Sequence, residues 1–255
     1  MRRWRTLPFI VAVGLLANCG TGRLRGWTLS GLLRPPDPSE IAAVQSDWRA
    51  RDLTPSEVTI IATHRADVGG AEFKTSIVSF SLAGVRQYGA LFLPAGETGD
   101  VPLILDIRGV EPGYPVRRLD AGPFSATVVT FPEHQRFAFA VPSLRGHAIE
   151  LDGRTYLSEG DRRDSWDGAT DDAMAFLTAV LSLDEPIDRA GVGVFGASRG
   201  GSVALLMAAR DPRLAVAVAF APAAVASCRV LAFFVESAAI VSSTLFNRQN
   251  RCCLA

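Results

Sequence analysis

The thirty residues from Gly191 to Phe220 narrow the fold of this chain more than any other stretch. Gly191–Phe195 is a short apolar run, Gly200–Arg210 reads as an amphipathic helix (Val203, Leu205, Leu206), and Leu214–Phe220 is a second apolar run. Strand, helix and strand within about 30 residues form a βαβ unit, which requires parallel pairing and a right-handed crossover. A parallel sheet is covered on both faces, so its strands read as nearly continuous apolar runs. Val101–Ile107 reads the same way and predicts a further buried strand.

Upstream, Ser39–Arg51 predicts a short helix, and Val58–Thr63, Phe73–Leu82 and Arg86–Leu93 predict an antiparallel opening meander rich in β-branched and aromatic residues. Ala126–Phe131 and Phe137–Val141 are two more strand candidates. Ala173, Phe176, Leu177, Val180 and Leu181 recur at spacings of three and four, predicting a helix with Ser165 as its cap and Asp167, Asp171 and Asp172 near its positive end.

At 255 residues and 48% apolar content, the chain can bury one large core. Its 26 basic and 26 acidic residues balance, so no global field favours nucleic acid or an anionic surface, and a neutral or amphiphilic small substrate fits better. No metal or nucleotide motif is present, and no cofactor is expected. Arg2, Arg3 and Arg5 precede the apolar run Leu7–Ala17, too short to span a bilayer and suited to a secretory signal. We expect export to the periplasm or outer envelope. The run ends in Leu16-Ala17-Asn18-Cys19-Gly20, which resembles a lipobox. It leaves both membrane anchoring through lipidated Cys19 and ordinary cleavage open.

The chemistry centres on Gly196-Ala197-Ser198-Arg199-Gly200, a G-x-S-x-G sequence between the first strand and the helix of the βαβ unit. In that setting a tight turn lifts the serine hydroxyl above the sheet edge as a nucleophile. The backbone N–H of Arg199 comes with the turn as one oxyanion donor. A second is expected from Gly109 or Val110, in the loop that ends the Val101–Ile107 strand.

With Leu105-Asp106-Ile107-Arg108-Gly109, Leu144-Arg145-Gly146, Asp167-Gly168 to Asp171-Asp172, and Gly196-Ala197-Ser198-Arg199-Gly200-Gly201, the stretch Pro102–Ala223 resembles the catalytic domain of the prolyl oligopeptidase family of α/β-hydrolases. The resemblance implies the α/β-hydrolase fold, a mostly parallel central sheet with flanking helices, and a serine peptidase or esterase working through an acyl-enzyme. It also implies a Ser-Asp-His triad in that order. Two departures stand out: Arg108 occupies a place where many members have histidine, and no β-propeller precedes the domain.

The three histidines, His64, His134 and His147, all precede Ser198. The implied triad therefore lacks its base, and feeble hydrolysis is expected. His147, in a loop beyond a strand end, is the candidate substitute, with a surface or loop-bonding role as its alternative. Glycine is absent from Ser202–Ala255, and Asn247–Cys253 reads as a polar tail. We therefore expect the family sequence to break off near Ala226–Cys228, by truncation or frameshift, leaving the distal strands incomplete. The expected organisation is a signal peptide over 1–18, a linker over 19–38, a partial α/β-hydrolase domain over 39–228 and an atypical tail over 229–255.

Overall fold

The computed structural model describes residues 35–96, 99–109, 116–119, 133–220 and 222. The signal segment, Cys19, Val110, the Ala126–Phe131 candidate strand and the 229–255 tail lie outside the described residues.

Helix α1 (Pro38–Ala50) leads into β1 (Ser56–Val68), β2 (Ala71–Leu82) and β3 (Val85–Pro94), an antiparallel meander. Its two turns hold Gly69-Gly70 and Ala83-Gly84, all at positive φ, the geometry a two-residue hairpin needs. Strand β4 (Val101–Ile107) follows, then the short β5 (Val116–Arg118) and β6 (Ala138–Ser143). After a hairpin of β7 (Ala148–Leu151) and β8 (Arg154–Leu157) come α2 (Asp167–Ser182), β9 (Ile187–Ala197), α3 (Arg199–Arg210) and β10 (Leu214–Phe220).

Seven strands form one sheet in the order β1-β2-β3-β6-β4-β9-β10. β6, β4, β9 and β10 are mutually parallel, and β3 joins β6 antiparallel. Strands β5, β7 and β8 make a second small sheet.

Both faces of the large sheet are packed around its middle strands, whereas Val216, Val218 and Phe220 of β10 stay exposed. On one, α2 and α3 cover Val78, Leu91, Leu103, Leu105 and Val194, with Phe176 and Val203 inserted from the helices. Phe176 stacks on Phe80 with ring centroids 5.9 Å apart. On the other, Phe73, Ile77, Phe92, Phe139 and Phe195 cluster with Ile149 and Leu151 of the small sheet. Each fully buried side chain of this size contributes roughly 1.5–3 kcal/mol.

Two local expectations change. Ser165 does not cap α2: its Oγ donates to the Arg162 carbonyl at 2.7 Å, while the Gly168 N–H donates to Asp164 Oδ1 at 2.9 Å. Asp164 lies four residues before Gly168 and reaches the first free N–H groups that a serine hydroxyl at 165 has given up. The hairpin β7–β8 was not anticipated, although Asp152-Gly153 at its turn, both at positive φ, is a strong hairpin signal.

Among the described residues, no helix is long and apolar enough to cross a membrane.

Candidate active site

Strand β9 delivers Ser198 at the carboxyl edge of the sheet, and α3 begins at the next residue. Ser198 has φ 55° and ψ −122°, a conformation that non-glycine residues rarely adopt. Its N–H donates to the Phe220 carbonyl of β10 at 3.0 Å, and its own carbonyl accepts from Gly201 N–H at 3.0 Å. The turn is therefore held from both sides, and the serine side chain stays exposed.

The glycines around it are required by crowding. A Cβ on Gly196 would lie 2.0 Å from the Gly200 carbonyl oxygen, and one on Gly200 would lie 2.0 Å from the Ile107 carbonyl oxygen. Strand β4 thus ends against the first turn of α3. Gly109 sits against Ser198 itself: a Cβ there would come within 2.8 Å of Ser198 Cβ.

A strained serine on a strand-to-helix turn, at the carboxyl edge of this sheet order, fixes the architecture. The fold is that of the α/β-hydrolases. The Arg199 N–H is the first of α3 and has no intrahelical acceptor. Gly109 lies against Ser198; Val110 is outside the described residues.

No protein-family profile and no curated protein matches the sequence. Solved structures similar to it include the acetyl xylan esterase of Paenibacillus sp. R4, at 18% identity and TM-score 0.49, covering 77% of this chain and 65% of that one. Acetyl xylan esterase 1 of Thermoanaerobacterium sp. JW/SL YS485 aligns at 19% identity and TM-score 0.44, covering 74% and 61%. The α/β hydrolase GrgF of Penicillium sp. sh18 aligns at 21% and 0.44, covering 69% and 57%. The chain spans less than two thirds of the length of each.

Beside the α/β-hydrolase elbow lies a cavity of about 360 Å³, lined among others by Arg108, Gly109, Arg117, Arg118, His147 and Arg199. The small sheet supplies Arg117 and Arg118 from β5 and Ala148 and Ile149 from β7, the first strand of the unanticipated hairpin, so these two strands build one wall of the cavity. Arg117 Nη2 lies 2.7 Å from Asp106 Oδ2, and Arg118 Nε lies 3.2 Å from Glu150 Oε1. Among the described residues, no aspartate or glutamate lines the cavity.

The loop carrying His147 is tightly held. Arg145 donates through Nε and Nη2 to the two carboxylate oxygens of Asp172, at 2.9 and 2.8 Å, and through Nη1 to Asp164 at 2.6 Å. The hydrogen bonds to Asp172 raise the Arg145 pKa above the ordinary arginine value. Two sequence segments singled out separately, Leu144–Gly146 and the start of α2, are thus one ion-paired unit.

His147 Nδ1 lies 2.9 Å from the Arg145 carbonyl oxygen. A carbonyl only accepts, so Nδ1 carries the proton and Nε2 keeps its lone pair. Burial lowers the His147 pKa, aided by the charges of Arg199 and Arg162. His147 is therefore neutral near pH 7.

The other histidines are elsewhere. His64 Nδ1 pairs with Asp152 at 2.5 Å, and buried His134 contacts the Val68 carbonyl at 3.1 Å and stacks near Phe73. Ser198 Oγ forms no hydrogen bond with any described residue, His147 included.

The sequence singled out Arg199 only for its backbone. Its side chain is buried, at 5% exposure, and it lines the cavity. No residue pattern announced this, because a single arginine is silent about which way it points.

Proposed function

We propose that this chain is a serine hydrolase of the prolyl-oligopeptidase type, cleaving short peptides or small esters, exported and open to anchoring at Cys19. The observation that carries this reading is the strained backbone of Ser198 at the strand-to-helix turn, with Gly109 and the Arg199 N–H on either side. Such strain persists where surrounding structure imposes it, and it commonly marks a reacting group.

Ser198 Oγ attacks the substrate carbonyl carbon, and the oxygen that becomes negative is held by backbone N–H groups of Arg199 and Gly109. The alcohol or amine leaves with a proton, and water then cleaves the acyl-enzyme. For the proton acceptor, we assign His147 Nε2, working through one water because no direct bond to Ser198 exists. This route makes turnover slow.

The purified protein is treated with a fluorophosphonate probe and assayed on p-nitrophenyl acetate and a proline-containing p-nitroanilide. Labelling and hydrolysis are expected in the native protein and absent in Ser198→Ala. Equal labelling of Ser198→Ala would overturn the reading. His147→Asn is expected to lower kcat by about 10²–10⁴-fold; unchanged kcat would remove His147 from the mechanism.

The lack of any described partner for Ser198 Oγ favours one alternative, a ligand-binding protein without turnover. Saturable binding with no probe labelling would support it.

A further inference from the structure

The Arg199 side chain is a buried cation that the reaction above does not use. Among the described residues its enclosed Nε has no hydrogen-bond partner and no carboxylate pairs with it. Burial alone lowers its pKa, with no offsetting charge, yet an arginine stays protonated at any ordinary pH. An uncompensated buried charge costs several kcal/mol, and a methionine of similar volume would avoid the cost. A group retained at that cost, at the wall of a cavity beside a nucleophile, has a ligand to meet.

The surroundings specify the ligand's charge. Of the four arginines lining the cavity, Arg117 and Arg118 are paired with Asp106 and Glu150, and Arg108 is also engaged within the protein. Arg199 is left with one unmatched positive charge, supplemented by the start of the 12-residue helix α3. His147 is neutral and contributes no second charge. One unmatched cation fits a single carboxylate, which the planar guanidinium can meet with two parallel hydrogen bonds. A phosphate dianion would call for more. A volume of about 360 Å³ is within the range of small-molecule sites.

We propose that the cavity selects substrates bearing a carboxylate, bound by the Arg199 guanidinium while Ser198 attacks an ester or amide elsewhere in the same molecule. The substrate-selection half of this proposal rests on the hydrolase reading; the carboxylate site does not.

Calorimetric titration with adipate and with its uncharged dimethyl ester separates the two. Native protein and Ser198→Ala are expected to bind adipate equally, and more tightly than dimethyl adipate. Arg199→Met is expected to weaken adipate binding on the order of 30-fold, as loss of charge-assisted hydrogen bonds does, and Arg199→Lys to keep part of it. A thermal midpoint of Arg199→Met at or above the native value shows that the fold is retained. Equal adipate binding by native and Arg199→Met protein, or no binding by the native protein, overturns the proposal.

Hydrolysis then tests selection. The ratio of kcat/KM for p-nitrophenyl hydrogen adipate over p-nitrophenyl hexanoate is expected to exceed one in the native protein and to fall in Arg199→Met; an unchanged ratio overturns substrate selection. Hydrolysis of neither ester by the native protein would defeat the hydrolase reading, with adipate binding still deciding the arginine's role.

Discussion

Ser198 occupies a backbone conformation suited to glycine, and the protein bears that strain to present a hydroxyl. Strain of this kind costs of order 1–3 kcal/mol. Ser198→Gly is expected to be more stable than the native protein by about 1 kcal/mol, part of the relief being offset by the freedom glycine gains when unfolded. Urea unfolding checks this, with loss of probe labelling as the accompanying change. His147 gives a pH dependence whose sign follows from burial. Its pKa in the folded protein is below the ordinary 6.5, so on acidification the unfolded chain takes up the proton first. The contribution is fully present above about pH 6.5 and is lost as pH falls from there through the folded value. His147→Gln is expected to lose that slope, measurable as a flatter stability profile between pH 7 and 5. At this scale the serine turn was legible because glycines at fixed offsets reflect crowding that any such turn must have. Arg199 was legible only as a backbone donor, since a side chain's partners come from distant parts of the chain.

Elements are positioned by few but specific ties. The Arg145–Asp172 pair joins the loop after β6 to the start of α2, with Asp172 nearly fully buried and Arg145 partly exposed. Asp172→Asn leaves Arg145 with Asp164 alone, and is expected to destabilise by roughly 3 kcal/mol, the low end for a broken buried pair because Arg145 keeps some water. Urea unfolding reads this directly. The sequence marked both ends of the tie as features of a resemblance, but their pairing across 27 residues appears only in the fold. Strands β4 and β10 were predicted with the bounds they have, because uninterrupted apolar runs between turn signals leave little choice. The β7–β8 hairpin was missed because its residues do not form a long apolar run, although Asp152-Gly153 carried the information. That omission mattered functionally, since β5 and β7 wall the cavity.

Across the molecule, the large sheet separates two apolar clusters. Ile77 and Val78 are neighbours on β2, yet Ile77 packs among Phe73 and Phe139 while Val78 packs on the side of α2 and α3. Side chains that alternate across a sheet share no partners. Ile77→Val is expected to cost about 1 kcal/mol and Val78→Ala about 2 kcal/mol, with the double variant additive within about 0.5 kcal/mol by equilibrium unfolding. A larger coupling would mean that the two faces communicate through the strand. The sequence by itself determined a parallel sheet, an antiparallel opening meander and a serine at a strand-to-helix turn, because these depend on periodicity and on local steric limits within a few residues. Only the tertiary structure decided which histidine faces the cavity, which acid anchors Arg145, and that the residue after Ser198 buries a charge with no partner among the described residues. Those outcomes depend on which distant groups meet once the sheet order is set, and no local pattern encodes them.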